Sequence, residues 1–143
     1  LLARAVRWQR GVHLIGLCFH RFGLSPLGEV GHDLSAVDEG LTWLRRAGFS
    51  FADLEDTVQG LLAGRLPERP SVVVTIDDGY ADLLSAVPIF AKHACPVTVF
   101  LATDFLDRRA PLWWDQIQLL LSRADGPLEL DAVAGVSWKG RWE

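Results

Sequence analysis

Apolar positions along the chain fall into short, nearly continuous runs, separated by stretches where they recur every three or four residues. The run Val12-His13-Leu14-Ile15-Gly16-Leu17-Cys18-Phe19 ends at His20-Arg21, and its lack of clean alternation predicts a strand buried on both faces. After a Gly/Pro-rich loop, Ser35-Ala36-Val37-Asp38 has the spacing of a helix capping box, with Val37, Leu41 and Leu44 at helical spacing and Gly48 as the stop. Ser50 and Asp53 announce a second helix, carried by Leu54, Val58, Leu61 and Leu62 and ended by Gly64. Pro67 and Pro70 bracket the linker that follows. Ser71-Val72-Val73-Val74-Thr75-Ile76 is rich in β-branched residues and predicts a central strand, ended by Asp77-Asp78-Gly79. A helical stretch with Leu83, Leu84, Val87, Phe90 and Ala91 comes next, with a break expected at Pro88. Cys95-Pro96 turns the chain into a strand over Val97–Leu101, and Trp114, Ile117 and Leu121 mark a helix from about Trp113 to Ala124. The tail from Leu128 to Trp142 reads weakly as strand and turn, and Arg4, Arg7 and Arg10 outline a short amphipathic helix at the start.

Strands that alternate with helices build a parallel sheet flanked by helices, which predicts an α/β fold of parallel β/α units. Three clear strands cannot close a barrel, which takes about 250 residues in its eight-stranded form. The 143 residues therefore read as a single α/β domain and as half of an architecture. The chain begins Leu1-Leu2-Ala3 and shows no signal-peptide pattern, so either its start has been removed or it is a piece of something longer.

Charge and composition narrow the function classes. Eighteen acidic against fourteen basic side chains give a net charge of −4, which argues against a nucleic-acid partner, since phosphate binding wants a basic stripe. No apolar run approaches the ~18–20 residues of a membrane span. The two cysteines, Cys18 and Cys95, cannot form a disulfide framework and read as buried apolar thiols. Localisation stays open.

In parallel α/β folds the functional groups gather at the carboxyl ends of strands. The first strand delivers His20, the second Asp77 and Asp78, and the third Thr103 and Asp104, with Asp107 just beyond. Two adjacent carboxylates at the tip of an apolar strand repel each other unless one is protonated or a cation lies between them. Neighbouring residues at a strand end point in different directions, so one can hold a metal while the other handles a proton. The plain alternative is an acidic turn with an N-cap for the next helix.

The stretch Val72-Val73-Val74-Thr75-Ile76-Asp77-Asp78-Gly79-Tyr80 resembles the T-F-D-D-G motif of the NodB-type polysaccharide deacetylases, with Ile76 in place of Phe. Cys18-Phe19-His20-Arg21 looks like that family's early Y-H-R segment, and Leu44-Arg45-Arg46-Ala47-Gly48-Phe49 looks like its L-x-x-x-G-[YF] helix end. Val87-Pro88-Ile89-Phe90, Pro96–Leu101 and Pro111-Leu112-Trp113-Trp114-Asp115 extend the likeness to about Leu121. The resemblance implies an incomplete, distorted (β/α) barrel and metal-dependent removal of N-acetyl groups from amino sugars of a polysaccharide or oligosaccharide. It implies Asp77 as general base and Asp78 as a ligand to a divalent metal, typically zinc. Relatives in that family often work on envelope or extracellular glycans. His20, Tyr80, Thr103, Asp104 and Trp113 are the residues expected to line the substrate, with Trp113 offering a stacking face for a sugar ring and Trp114 packing in the core.

The family's second motif, H-[ST]-x-x-H, has no counterpart. The histidines are His13, His20, His32 and His93, no two of them four apart, and the R-x-P-Y motif is missing too. The chain is thus expected to stop before the second metal-binding motif, with an incomplete site that neither retains zinc tightly nor deacetylates alone, because a catalytic zinc usually takes three protein ligands. Two other readings remain: a glycan-binding or structural remnant without catalysis, and magnesium-dependent phosphoryl transfer through an aspartyl-phosphate. No D-x-D or matching lysine loop supports the latter.

Overall fold

The computed structural model describes residues 14–24, 31–109 and 112–123. The expected amino-terminal helix, the first two residues of the first strand and the tail from Leu128 lie outside the described residues. Four strands form one sheet: β1 (Leu14–Phe19), β2 (Ser50–Phe51), β3 (Ser71–Asp78) and β4 (Val97–Leu101). The helices are α1 (Leu34–Arg46), α2 (Leu54–Leu62), α3 (Leu83–Lys92), α4 (Thr103–Leu106) and α5 (Trp113–Ser122).

Strand β3 is central, as its β-branched sequence predicts. β1 runs parallel along one edge from Leu14↔Ser71 to Phe19↔Ile76. The other edge is shared by β2, at Ser50↔Ser71 and Phe51↔Val72, and by β4, from Val74↔Val97 to Asp78↔Leu101. All pairings are parallel, and the sheet is open among the described residues rather than closed into a barrel.

Strand alternation divides this sheet into two faces. Val72, Val74 and Ile76, at 0%, 1% and 1% exposure, point into a core with Phe22, Val37, Leu41, Ala86 and Phe90. Leu17, Phe19 and Val99 pack against the same core. The opposite face carries Gly16 and Cys18 on β1, both exposed, and open space lies where a Gly16 side chain would stand. Among the described residues β1 is thus covered on one face only, which corrects the expectation of burial on both. Composition could not distinguish these cases, because Gly16 and Cys18 read as apolar yet are exposed.

Local chemistry also shifts several element ends. Asp33, not Ser35, caps α1: its carboxylate accepts from the Ala36 N–H at 2.9 Å and from the Ser35 hydroxyl at 2.5 Å. Asp and Ser cap equally well, so the residue already in extended backbone wins. Asp38 instead reaches α3, accepting from Lys92 Nζ at 2.7 Å and meeting His93 Nε2 at 2.6 Å. These two partners hold the Asp38 carboxyl below its usual range. Asp53 caps α2 through the Asp56 N–H at 3.1 Å, while Ser50 belongs to β2 rather than to the helix start. Pro88 lies inside α3 without ending it. Its missing N–H deprives the Leu84 carbonyl, and Leu84 is 70% exposed, on a side where water can take the bond. Among the described residues no helix is long and apolar enough to cross a membrane.

Candidate functional site

Strand geometry assembles the site. Cys18 and His20 are two apart at the end of β1, so both leave the face that faces away from the core. The parallel register sets Cys18 beside Thr75, and Asp77 follows two residues later on the same face of β3. The Cys18 thiol lies 3.5 Å from Asp77 Oδ2. One donor atom from each of Cys18, His20 and Asp77 lies within 4.8 Å of the other two. Asp77 Oδ1 is buried and has no hydrogen-bond partner, an uncommon condition for a carboxylate oxygen.

The chain leaves β3 by a sharp turn. Asp78 has φ +70° and Gly79 φ +81°, and the Gly79 N–H donates to the Asp77 carbonyl at 2.9 Å. Left-handed backbone at a non-glycine residue costs of order 1–3 kcal/mol, and aspartate is among the few side chains that tolerate it. Glycine suits the left-handed turn at position 79; a Cβ there would stand 2.7 Å from Leu101 Cδ2, the end of an exposed side chain that can move aside. Asp78, the metal ligand that the resemblance implies, lies outside the three-donor group of Cys18, His20 and Asp77. The donor set that suits a borderline metal is the thiol, imidazole and carboxylate across β1 and β3.

Behind the turn, a polar network fastens α5 to the strand ends. Arg21 Nε donates to Asp82 Oδ2 at 2.9 Å, and the guanidinium lies 3.8 Å from the Tyr80 ring centroid. The Tyr80 hydroxyl donates to Asp115 Oδ1 at 2.9 Å and accepts from the Trp114 indole N–H at 2.8 Å. Arg21 Nη1 lies 3.7 Å from the same Asp115 oxygen. Burial pushes the Tyr80 phenol up to about 12, with the bond to Asp115 adding to the rise.

Tyr80 is the only tyrosine, so its ionisation can be read directly. The folded chain holds the phenolic proton to about 12, whereas an unfolded chain releases it near ~10. Between those values the folded state binds more protons, so stability is complete below pH ~10 and falls as pH rises toward ~12. A phenolate absorbance titration should show this high midpoint in the native protein and a drop toward ~10 in denaturant. Tyr80→Phe should lose this component of the alkaline stability decline, measured by urea unfolding across the same range.

The other sequence candidates scatter. Thr103 and Asp104 open the one-turn helix α4 and are exposed; their carbonyls accept from the Asp107 and Arg109 N–H groups. Trp113 is 65% exposed and stands edge-on to Trp114, with ring centroids 5.4 Å apart. The expected core stripe on α5 is not one: Trp114, Ile117 and Leu121 are 37%, 48% and 49% exposed. Trp114 is anchored by its indole N–H instead. Cys18 is likewise exposed while Cys95 is buried, so only the latter fits the reading as an apolar thiol. The network of Arg21, Asp82 and Asp115 joins residues that no sequence pattern links. The available signal was His20-Arg21 in one motif and Tyr80 in another, both at strand ends.

No family model matches the sequence, and a search of the curated proteins finds no match either. Solved structures do match. The chain superposes on a de-N-acetylase from Aggregatibacter actinomycetemcomitans with a TM-score of 0.54 at 16% identity, covering 76% of this chain and 50% of that one. It superposes on the Streptococcus pyogenes deacetylase PplD, solved in complex with acetate, with a TM-score of 0.56 at 20% identity, covering 76% and 52%. The chain thus spans about half the length of these structures. At such identities the likeness is one of fold, and that fold is deacetylase-like.

Proposed function

We propose that this chain carries the proton-handling part of a deacetylase-type hydrolase that removes acetyl groups from N-acetylated amino sugars of a polysaccharide or oligosaccharide. The observation that carries this reading is Asp77, with one oxygen buried and unpartnered, close to His20 at the carboxyl end of the central parallel strand. The likeness of Thr75-Ile76-Asp77-Asp78-Gly79 to the deacetylase motif and the deacetylase-like fold support it.

The chemistry follows from placing a base and an acid side by side. Asp77 accepts a proton from a water that attacks the acetamide carbonyl carbon. As the C–N bond breaks, its electron pair goes to nitrogen, and His20 in its protonated form supplies the proton that makes the amine a good leaving group. Acetate and a free amino sugar result. Tyr80, tied to Trp114 and Asp115, keeps its proton and fastens α5, which carries the exposed Trp113 ring, to the end of β3. No step is assigned to a metal on Asp78, and these 143 residues alone are proposed to release no acetate. Glycan binding without turnover is the second reading, favoured by the exposed ring of Trp113.

The test is acetate release from N-acetylglucosamine oligomers by the intact polypeptide that carries these residues. Acetate is expected, and Asp77→Asn should slow its release by ~10²–10⁴-fold, the usual worth of a positioned acid or base. Oligomer binding without acetate would favour the second reading. Undiminished release by Asp77→Asn would remove Asp77 from the chemistry and overturn the first.

A further inference from the structure

The face of β1 and β3 that bears the proposed acid and base also bears a thiol, which hydrolysis of an acetamide does not use. We propose that Cys18, His20 and Asp77 together form a site for one borderline divalent cation of the zinc class, carried entirely by the ends of β1 and β3. Four features of the molecule lead there. The three donors differ in type, yet one atom of each lies within 4.8 Å of the others. The Cys18 Sγ to Asp77 Oδ2 separation of 3.5 Å also fits the edge of a tetrahedral site with metal–sulfur and metal–oxygen bonds of about 2.3 and 2.0 Å. The remaining Asp77 oxygen is buried without a partner, so the carboxylate has unspent acceptor capacity where positive charge would be welcome. Finally, thiolate and imidazole favour zinc-class ions over magnesium or calcium, which prefer oxygen donors throughout.

This donor set departs from the one implied by the sequence resemblance, which rests on Asp78 and a histidine pair. Three protein ligands leave one position open, as in metal sites that admit a small ligand. Binding requires Cys18 as thiolate, so its proton passes to solvent when the ion enters. The site stands on its own geometry. Its one consequence for the proposed hydrolysis is inhibitory, since an ion seated there engages both Asp77 and His20.

Cobalt(II) titration of the 143-residue chain tests the proposal, because a cysteine ligand to cobalt gives a sulfur-to-metal charge-transfer absorption in the near ultraviolet. The band should saturate at one equivalent and be displaced by zinc. Cys18→Ser should abolish the band, and His20→Ala and Asp77→Asn should weaken binding by ~10-fold or more. Asp78→Asn, which removes only a neighbouring charge, should weaken binding far less than Asp77→Asn. A parallel measurement in the unsubstituted chain removes any dependence on how the variants fold: zinc should slow alkylation of Cys18. Cys95 serves as the internal control, since it is buried and its thiol is pushed up to about 11 by that burial. No charge-transfer band, equal alkylation of Cys18 with and without zinc, or an Asp78→Asn loss as large as that of Asp77→Asn would each overturn the site. None of these readouts involves acetate release, so failure here leaves the hydrolase reading to its own test.

Discussion

Ile76→Ala is expected to lower the stability of the chain by ~2–5 kcal/mol, the range for truncating a buried aliphatic side chain. Ile76 is 1% exposed on the central strand and belongs to the core formed with Phe22, Val37, Leu41 and Phe90. The cost has two parts: the apolar surface no longer removed from water, and the void left between helices and sheet that neighbours fill only partly. A domain of this size is stable by only ~5–15 kcal/mol, so this one change could consume a large share of the margin. The matched control is Ile117→Ala on α5. Ile117 is 48% exposed, and its truncation should move stability by no more than ~0.5 kcal/mol. Urea unfolding of both variants measures the contrast. Equal losses would mean that α5 is covered as a core helix, and the account of its face given above would fail.

That contrast also marks where sequence reading reaches its limit. Periodicity at Trp114, Ile117 and Leu121 announces a helix with an apolar side, and the helix is there. Periodicity carries no information about what covers that side, and the three residues are well exposed in the described structure. β3 was legible for the opposite reason: a run of Val72, Val73, Val74 and Ile76 suits only a strand with neighbours on both edges, and β1 and β4 supply them. β2 was not legible, because two residues held by two register pairs leave no pattern to see. Asp77 and His20 could be named because strand ends lie side by side in a parallel sheet. Cys18 reads in the sequence only as a buried apolar thiol, because its exposure beside Asp77 depends on which face of β1 is left open, a property of the assembled sheet and not of the strand. The network of Arg21, Tyr80, Asp82 and Asp115 was not legible for a similar reason. Its members are up to 94 positions apart, from Arg21 to Asp115, and only folding joins them.

His20 and Asp77 should behave as one catalytic unit in the intact polypeptide that carries these residues. His20→Ala and Asp77→Asn are each expected to reduce kcat for acetate release by ~10²–10⁴-fold. The double variant should fall by far less than the product of the two losses, because groups that act on one transition state are strongly non-additive. The reasoning is geometric. One ligand atom of each lies within 4.8 Å of the other at the ends of paired strands, so a water held by Asp77 and an amine protonated by His20 would belong to the same bound acetamide. Loss of the base leaves little for the acid to finish, and loss of the acid traps the amine on the carbon that the base has helped to attack. Free imidazole in the buffer should restore part of the His20→Ala rate and none of the Asp77→Asn rate, a separation that a merely structural histidine would not produce. Fully multiplicative losses, or no response to imidazole, would show that the two side chains act apart and that His20 does not handle the departing amine.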